Sequence, residues 1–394
     1  ASENPELPDT LSKTKNKIAF IGPGAIAMDV LGDKISSSIL AESAGVPTMP
    51  WSGSGLRCSG VDISEELYQR ACVNDEESAL LSAAQIGYLL MIKASEGGGG
   101  KGIRKVSNDN ELRLGFAQVK AEVPGSPIFL MKLASQSRHL EVQVVADHHG
   151  NAVALYSRDC SVQRRHQKII EEGPVCVAPR EIVEEMEQAA VRLTKSVGYA
   201  GAGTVEYLYD SGKYYFLELN PRLQVEHPVS EWITNCNIPA IQLNIAMGIS
   251  LNNIPDIRRF YGREAFGDDV IDFETSKPLP PNGHVIACRI TAENPEEGFQ
   301  PTCGSVVELT FRNTPSVWGY FSIRSQGAIH AFSDSQFGHI FAHGPTREEA
   351  RKAMVTALAE LQIRGDICTT AEYLQTLIHL DDYVKNDFTT SWLD

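Results

Sequence analysis

The sequence has 394 residues, of which 42% are hydrophobic and 22% charged, a composition typical of a globular protein with a core large enough for two or three domains. The formal net charge of −15 at pH 7, with no basic stripe to offset it, excludes non-specific nucleic-acid binding. No apolar run reaches the length of about 18 residues that a membrane span needs, and the eight cysteines form no Cys-x-x-Cys pair, so we predict reduced thiols in a soluble, intracellular protein.

The first predicted elements are a short buried strand at 17–23 and helices at 24–30 and 31–42. A strand followed by a turn and a helix normally belongs to a larger sheet, yet only sixteen residues precede this strand. The sequence also begins without an initiator Met or a secretory signal. We therefore expect 1–48 to be the end of an α/β domain whose front part is missing, linked to the next part by the turn formers at 46–58.

Four consecutive glycines at 97–100 follow the predicted strand 88–94. Glycine loses the most entropy on ordering, so such a run favours neither helix nor strand, but it lets backbone N–H groups approach anionic oxygens closely. Lys93 ends the strand and Lys101 follows the glycines. The loop is not a Walker P-loop, because Ile103 stands where that motif needs Lys, and it is not a Rossmann fingerprint. The pattern predicts a phosphate-binding loop, with a flexible hinge as the alternative.

The segment 138–146 alternates strictly, so that every second residue from His139 onward shares one face of a predicted strand. A turn and a return strand at 152–157 follow. The next segment, 163–168, carries polar or basic side chains without a break. A lone charged run is usually a solvated loop, but beside a glycine loop in an acidic chain this run predicts a site for phosphate or bicarbonate.

Two short strands, 204–209 and 214–219, are predicted to form a hairpin around a turn at 210–212. This hairpin would place Glu206 beside Glu218. Polar residues continue at even spacing after the second carboxylate, and on one extended strand they would share its face; they are Asn220, Arg222, Gln224 and Glu226. Two carboxylates and an amide oxygen suit Mg²⁺, which prefers hard oxygen ligands. The alternative is a solvated amphipathic hairpin.

The remaining segments are predicted to be mostly structural. A helix at 180–197 has a core-facing apolar stripe, 229–248 is helical, and 251–283 is irregular. Several strands and a last helix suggest an antiparallel-sheet subdomain; these segments are 285–290, 305–311, 317–323, 339–343 and 347–362. Arg289 lies in the middle of an apolar strand, where a buried guanidinium is costly unless it is paired. It is therefore either a structural ion pair or a substrate contact, and the sequence leaves both open.

Together these motifs resemble the ATP-grasp fold of biotin carboxylase, and more narrowly the biotin carboxylase domain of eukaryotic multidomain acetyl-CoA carboxylases. The resemblance is carried by the segments 91–105, 158–168, 203–206 and 218–228. Two further segments, 124–129 and 318–322, favour the acetyl-CoA type over pyruvate or propionyl-CoA carboxylases. The implied fold class is α/β (α+β), in three parts: a remnant of the N-terminal α/β domain at 1–48, a lid domain with the glycine loop at 49–133, and a C-terminal domain that carries the active site at 134–394.

The resemblance also implies which residues bind. The nucleotide would be bound by Lys34, Lys93, Gly97, Gly98, Gly99, Gly100, Lys132, His139, Gln163 and His166. The Mg²⁺ or Mn²⁺ ion would be bound by Glu206, Glu218 and Asn220. Bicarbonate would be bound by Lys168, Arg222, Gln224 and the backbone of Val225. Glu226 would be the base that deprotonates bicarbonate, and Arg289 would stabilise the anion formed when biotin loses its ureido proton.

The implied activity is the biotin carboxylase half-reaction of acetyl-CoA carboxylase, the first step towards malonyl-CoA and fatty acids. Its cofactors would be ATP, Mg²⁺ or Mn²⁺, and biotin on a carrier domain. The implied partners are the biotin carboxyl carrier and carboxyltransferase domains of the same polypeptide, and a second copy in a homodimer; the expected location is the cytoplasm, with a plastid or another organelle as alternatives. Other readings are a pyruvate or propionyl-CoA type carboxylase, an ATP-grasp ligase acting through carbamate, and a non-catalytic nucleotide-binding module.

Overall fold

The computed structural model describes residues 3–96, 102–134, 136–165 and 167–393. The predicted glycine loop at 97–100 and His166 lie outside the described residues. The chain divides into two compact units. Unit 1 comprises Ala1–Ser157, Ala178–Val225 and Cys236–Leu279. Unit 2 comprises Arg158–Val177, Glu226–Asn235 and Pro280–Asp394.

Helices and strands are mixed throughout, as the predicted fold class requires. The α-helices are α1 Glu6–Ser12, α2 Ala25–Gly32, α3 Lys34–Ser43, α4 Glu65–Ala71, α5 Glu76–Ile86, α6 Asp109–Glu122, α7 Arg180–Ser196, α8 His227–Thr234, α9 Ile238–Ala246, α10 Pro255–Phe260, α11 Arg347–Glu360, α12 Ala371–His379 and α13 Asp381–Lys385. The strands are β1 Leu90–Ala94, β2 Ile103–Val106, β3 Ile128–Lys132, β4 Arg138–Ala146, β5 Ala152–Arg164, β6 Gln167–Gly173, β7 Gly201–Asp210, β8 Lys213–Asn220, β9 His284–Thr291, β10 Glu293–Asn294, β11 Gln300–Pro301, β12 Gly304–Thr310, β13 Val317–Phe321, β14 Gly327–Ile329, β15 Gln336–Gly344 and β16 Gln362–Gly365.

Unit 1 contains a small antiparallel sheet in the order β2-β1-β3. Helix α6 packs on it, and the core between them is formed by apolar residues that include Leu90, Ile92 and Phe116. Because side chains alternate across a strand, the burial of Leu90 and Ile92 leaves Lys93 on the opposite face of β1. The pairing of β1 with β2 and β3 therefore determines on which face of the sheet this predicted phosphate-binding lysine lies.

Unit 1 also holds β4, β7 and β8 as neighbouring antiparallel strands. Their apolar residues pack with the buried face of α7, on which Met186, Ala189, Ala190 and Leu193 lie as predicted. The β7–β8 hairpin is confirmed: Ser211 and Gly212 form its turn, both with positive φ (49° and 83°) as a tight two-residue hairpin turn requires. Its register places Glu206 directly opposite Glu218.

Unit 2 is built on the antiparallel strand order β13-β15-β9-β6-β5, with β5 belonging to unit 2 from Arg158 onward. Helices α11 and α12 bury an apolar core against it that includes Ile286, Ile340, Met354 and Leu374. A smaller sheet, β14-β12-β16, belongs to the same unit. The predicted C-terminal antiparallel-sheet subdomain is confirmed, and two more helices follow its last predicted helix.

Two local predictions are wrong. Residues 17–23 form no strand, and Ile18 and Ile21 are 50% and 47% exposed, because no described strand pairs with this segment. The helical region at 229–248 is two helices, separated after Asn235, which adopts a left-handed backbone (φ 56°) that ends α8. Within the predicted anion-binding run, Gln163 lies in β5 opposite Lys168 in β6.

Within the described ranges, which omit 1–2, 97–101, 135, 166 and 394, none of the helices combines the length and apolarity that crossing a bilayer requires.

Glu187 on α7 gives a prediction for stability. Burial raises the pKa of this carboxyl from 4.5 to about 7, although the guanidinium of Arg180 at 3.7 Å lowers it. Between these two values the folded state binds more protons than the unfolded state, so the free energy of unfolding falls as the pH rises from about 4.5 to 7. We expect Glu187→Gln to raise the free energy of unfolding by roughly 2 kcal/mol at pH 8 and to change it little at pH 5.

Urea unfolding at the two pH values measures this effect. Glu181→Gln, at an exposed carboxylate on the same helix, is the matched control and should show no such pH-dependent gain. An equal effect of Glu187→Gln at pH 5 and pH 8 would contradict the prediction.

Candidate active site

The β7–β8 hairpin of unit 1 concentrates oxygen ligands in a carboxylate cluster, formed by Glu206, Glu218 and Asn220. The two carboxylates are cross-strand neighbours. The amide of Asn220, at the end of β8, bridges them, since Nδ2 donates to Glu206 Oε1 at 3.0 Å and to Glu218 Oε1 at 3.4 Å. The three predicted metal ligands thus lie together.

Two further groups bind Glu206, which is 4% exposed. His139 Nε2 lies 2.8 Å from Glu206 Oε2, and Gln224 Nε2 donates to Glu206 Oε1 at 3.2 Å. His139 reaches this position because β4 pairs with β7, and its side chain faces the same way as Glu141. Amide donors and a nearby imidazole therefore surround a pair of carboxylates that would otherwise repel each other.

The chemistry of this donor set fits a divalent hard cation. Two carboxylates and an amide oxygen are the ligands that Mg²⁺ accepts in proteins, usually together with water and phosphate oxygens. The amide N–H of Asn220 now faces the carboxylates, so the amide has to turn to present Oδ1 to an ion. A cation would replace those N–H groups as the partner of both carboxylates.

The predicted nucleotide-binding lysines of unit 1 are held by backbone and side-chain contacts. Lys34 begins α3, whose N-cap is Asp33, and its Nζ donates to the Ser95 carbonyl at 3.1 Å. Lys132 Nζ donates to two backbone carbonyls, at 2.9 and 2.5 Å. Burial lowers the pKa of Lys93 to about 8, against the opposing effect of the Glu218 carboxylate, while Lys34 adds to the lowering.

The predicted single strand face from Glu218 to Glu226 is wrong. Strand β8 ends at Asn220, because Pro221 has no N–H to donate to a neighbouring strand, and a loop carries the chain to α8. Arg222, in this loop, pairs with Glu3 (Nε to Oε1, 2.5 Å). Val225 is the last residue of unit 1, and Glu226 the first residue of the next segment of unit 2.

In unit 2, Glu226 is the centre of an ion-pair cluster that also contains Lys168, Arg289 and Glu171. Lys168 Nζ donates to Glu226 Oε1 at 2.8 Å, and Arg289 Nη2 donates to Glu226 Oε2 at 3.3 Å. Lys168 and Glu226 are 11% and 2% exposed at the side chain. The predicted base and two predicted anion-binding cations are therefore in direct contact.

Arg289 is held from its other side by Glu171, a fully buried residue of β6. Its Nε donates to Glu171 Oε1 at 2.5 Å, and the second oxygen of Glu171 lies 3.1 Å from His339 Nε2. The sequence analysis allowed two interpretations of Arg289, a structural ion pair and a substrate contact. The ion pair is present, and the Arg289 side chain is still 18% exposed.

The charges of the cluster shift its pKa values strongly. Burial alone would raise the pKa of Glu226, but Lys168, Arg289 and Arg158 together hold it well below its ordinary value. Burial would likewise raise the pKa of Glu171, and the charges of Arg289 and His339 lower it. Burial alone would lower the pKa of Arg289, but the carboxylates of Glu171 and Glu226 raise it above its ordinary value. Both carboxylates and the guanidinium are thus ionised at neutral pH.

A cavity of about 210 Å³ in unit 2 is lined by Lys168 and Arg289, together with Arg164, Thr291, Phe299 and Tyr373. Arg164 lies over the Phe299 ring at 3.9 Å. Gln163, predicted to line the nucleotide pocket, is 8% exposed and lies in β5 opposite Lys168. Anions of small size can therefore reach the cationic side of the cluster.

Comparison with known proteins places these clusters in a family. Residues 61–254 match the family model "Carbamoyl-phosphate synthase L chain, ATP binding domain", and residues 287–394 match "Biotin carboxylase C-terminal domain". A biotin carboxylase–β-γ-ATP complex from Campylobacter jejuni superposes with a TM-score of 0.85 at 31% identity, over 100% of this chain and 79% of that one. The chain belongs to the biotin carboxylase family. As a member of this family it has the ATP-grasp fold.

Two other similar proteins are a solved biotin carboxylase domain and a much longer enzyme. The biotin carboxylase domain dimer of Hydrogenobacter thermophilus 2-oxoglutarate carboxylase, solved with MgADP, ADP and bicarbonate, matches with a TM-score of 0.85 at 31% identity, over 100% of this chain and 79% of that one. An acetyl-CoA carboxylase from Dictyostelium discoideum is 60% identical over 403 residues, which are 100% of this chain and 18% of that protein. The chain thus spans less than a fifth of the length of this acetyl-CoA carboxylase.

Sequence reasoning missed Glu171, His339 and Arg158 in this biotin carboxylase. A signal was present for Glu171, because two adjacent glutamates interrupt the apolar pattern just after the basic run. It could not be assigned, since which of the two faces Arg289 depends on how β6 pairs with β9. His339 lies opposite Arg289 in β15, a contact between residues 50 positions apart.

Proposed function

We propose that the chain catalyses the biotin carboxylase half-reaction of an acetyl-CoA carboxylase. In this reaction ATP phosphorylates bicarbonate to carboxyphosphate, which releases CO₂ to the deprotonated ureido nitrogen of biotin. The observation that carries the proposal is the contact of one buried carboxylate, Glu226, with both Lys168 and Arg289. A base between two anion-binding cations is what a reaction that joins two anionic reactants needs.

The carboxylate cluster would hold the nucleotide's metal ion. Glu206, Glu218 and Asn220 would bind Mg²⁺ or Mn²⁺, which neutralises the charge that spreads over the phosphate oxygens during transfer. Gln224 would orient Glu206 by the hydrogen bond it donates, and His139 by its Nε2 atom, which lies 2.8 Å from the carboxylate. The nucleotide would also be bound by the predicted set Lys34, Lys93, Gly97, Gly98, Gly99, Gly100, Lys132, Gln163 and His166.

Bicarbonate would be bound by Lys168, with Arg222, Gln224 and the backbone of Val225 as the other predicted contacts. Glu226 would remove its proton. Lys168 and Arg289 lower the pKa of Glu226. An anion that binds to these two cations would neutralise their charge and raise the pKa of Glu226, so that Glu226 becomes a stronger base. Substrate binding and base strength would in this way be coupled.

Arg289 would stabilise the negative charge that develops on biotin. A guanidinium stays protonated at any working pH and keeps its orientation when it is held by a carboxylate. Glu171 supplies that support, since it is buried and binds Arg289 Nε. The Arg289 side chain also lines the cavity of unit 2, through which the substrate would reach it.

The assignment to the acetyl-CoA type rests on the identity to acetyl-CoA carboxylases, which is 54–60% over the whole chain. The proposed partners are a biotin carboxyl carrier domain and a carboxyltransferase domain of the same polypeptide. We also propose a homodimer, a cytoplasmic location, and the three-part division at residues 48 and 133.

The test is ATP cleavage by the full enzyme, measured with and without bicarbonate and free biotin. The proposal requires that cleavage depends on bicarbonate and that biotin stimulates it. Tight MgATP binding by calorimetry without any cleavage would support the non-catalytic module instead. Stimulation by bicarbonate but not by biotin would favour another ATP-grasp ligase.

The metal assignment gives a separate prediction. We expect Glu218→Gln to raise the Mg²⁺ concentration needed for half-maximal activity by about tenfold or more, because one charged oxygen ligand is replaced by a neutral amide. The measurement is a Mg²⁺ titration of ATP cleavage. Glu181→Gln, an exposed carboxylate of unit 1 outside the cluster, is the control, and an unchanged Mg²⁺ requirement in Glu218→Gln would refute the assignment.

A further inference from the structure

A second cluster of nucleophilic and titratable side chains lies in unit 2 and plays no part in the proposed mechanism. Cys176 Sγ lies 3.7 Å from His284 Nδ1. The other ring nitrogen of His284, Nε2, lies 2.9 Å from Glu172 Oε2. Cys176 is exposed, whereas His284 and Glu172 are only 3% and 4% exposed. The thiol of Cys176 thus contacts the imidazole of His284, which in turn contacts the buried carboxylate of Glu172.

The carboxylate end of this thiol cluster is fixed. Arg347, at the start of α11, binds both oxygens of Glu172, with Nε at 2.6 Å from Oε2 and Nη2 at 3.0 Å from Oε1. Burial alone would raise the pKa of Glu172, but hydrogen bonds from His284 and the charge of Arg347 lower it to about 2. Glu172 is therefore ionised across the physiological range.

The ionised Glu172 in turn keeps the imidazole charged. Burial lowers the pKa of His284, but its bonds to Cys176 and Glu172 outweigh burial and raise it to about 9. The ring orientation is fixed by the Nε2 bond to Glu172, so that Nδ1–H points at the sulfur of Cys176. A buried, oriented imidazolium beside an exposed thiol is the arrangement that activates a nucleophile in enzymes with a base held by a third group.

The other exposed cysteines lack this arrangement. Cys303 and Cys368 are exposed, and in the described part of the chain no recorded hydrogen bond joins either sulfur to a histidine ring. Cys160, Cys236 and Cys288 are buried. The chain therefore contains its own reference thiols for a reactivity comparison.

We propose that Cys176 is a covalent modification site, a thiol activated by His284 and Glu172 that exchanges with small-molecule disulfides and is alkylated by soft electrophiles. In the exchange, the thiol proton goes to solvent and the thiolate attacks one sulfur of the reagent's S–S bond. A new S–S bond forms at Cys176, the reagent's S–S bond breaks, and its other half leaves as a thiolate that takes a proton from water. The reagent disulfide is the oxidant, so electrons and atoms balance. In alkylation by iodoacetamide, the thiolate sulfur bonds to the CH₂ carbon of the reagent, the carbon–iodine bond breaks, and iodide leaves. This inference does not depend on the proposed carboxylase activity.

The test is residue-resolved alkylation of the full chain by iodoacetamide at pH 7, followed by peptide mass spectrometry. Cys176 is expected to react about tenfold or more faster than Cys303 and Cys368. Because the three thiols are compared in one folded molecule, no variant is needed for this result. A rate for Cys176 equal to or below that of the two reference thiols would overturn the proposal.

A variant tests the role of the imidazole. His284→Gln is expected to bring the alkylation rate of Cys176 to within about threefold of the reference thiols, whereas His379→Gln, an exposed histidine on α12, leaves it unchanged. A second arm incubates the chain with oxidised glutathione and should give a mixed disulfide first at Cys176. An undiminished Cys176 rate in folded His284→Gln, or a mixed disulfide that forms first at Cys303 or Cys368, would refute the activation.

Discussion

Replacing Glu226 by Gln is expected to lower bicarbonate-dependent ATP cleavage by about 10²–10⁴-fold, the range that a positioned general base contributes. The amide keeps the size and hydrogen-bonding shape of the side chain but cannot accept a proton. MgATP affinity should stay within about threefold of the original, since the proposed metal ligands are Glu206, Glu218 and Asn220 and are unaltered. The measurements are the rate of ATP cleavage at saturating bicarbonate and a calorimetric titration with MgATP.

The strongly lowered pKa of Glu226 adds a pH criterion. A carboxyl with a lowered pKa is already deprotonated well below pH 7, so the activity of the original enzyme should not fall between pH 8 and pH 6 through protonation of Glu226. Any loss in that range has to come from another group.

The control for Glu226→Gln is Glu308→Gln, which removes an exposed carboxylate of unit 2 that lies 3.5 Å from Arg364. Its activity should be unchanged. If Glu226→Gln retained most of the bicarbonate-dependent rate, Glu226 would not be the base. A loss of MgATP binding in the same variant would instead point to a structural effect of the substitution.

The hairpin that carries the metal ligands could be predicted because its signals are local. Alternation of polar and apolar residues, a turn at 210–212 and an even spacing of carboxylates all lie within 20 residues. The continuation of that face to Glu226 failed, although it uses the same spacing. Pro221 ends the pairing of β8, and beyond it residue spacing no longer says which side chains share a face.

The ion-pair cluster could be predicted only in part, because its contacts are non-local. The basic run that contains Lys168 indicated an anion site, and the resemblance supplied the roles of Lys168 and Glu226. The pairing of Arg289 with Glu171 depends on the register of β6 against β9, which places Glu171 opposite Ala287, two residues before Arg289. A single sequence does not fix that register, since β6 and β9 are far apart in the chain.

The thiol cluster shows the same limit. Cys176 and His284 are 108 positions apart, and neither lies in a motif. Glu171 and Glu172 are adjacent in β6 and point to opposite faces, so one supports Arg289 and the other supports His284. Two glutamates that are indistinguishable in the sequence thus serve different clusters in unit 2.

Removing Glu171 is expected to be the most destabilising change in the ion-pair cluster. Glu171→Ala leaves Arg289 without the partner of its Nε, and it also removes the carboxylate from His339, which is fully buried. Breaking a buried pair by deleting one member costs more than the pair itself stabilises, because the remaining charge stays desolvated. We expect the free energy of unfolding to fall by about 3 kcal/mol, which urea unfolding followed by circular dichroism can measure.

A double-mutant cycle separates this effect from a simple loss of packing. Arg289→Met should itself destabilise, but Glu171→Ala combined with Arg289→Met should cost at least about 1 kcal/mol less than the sum of the two single changes, because the unpaired cation is gone. Glu308→Ala, at an exposed pair, should cost less than about 1 kcal/mol. Strict additivity in the cycle, or a cost of Glu171→Ala no larger than that of Glu308→Ala, would show that Glu171 does not support Arg289. The guanidinium would then be oriented by Glu226 alone, the same carboxylate that has to release it when substrate binds.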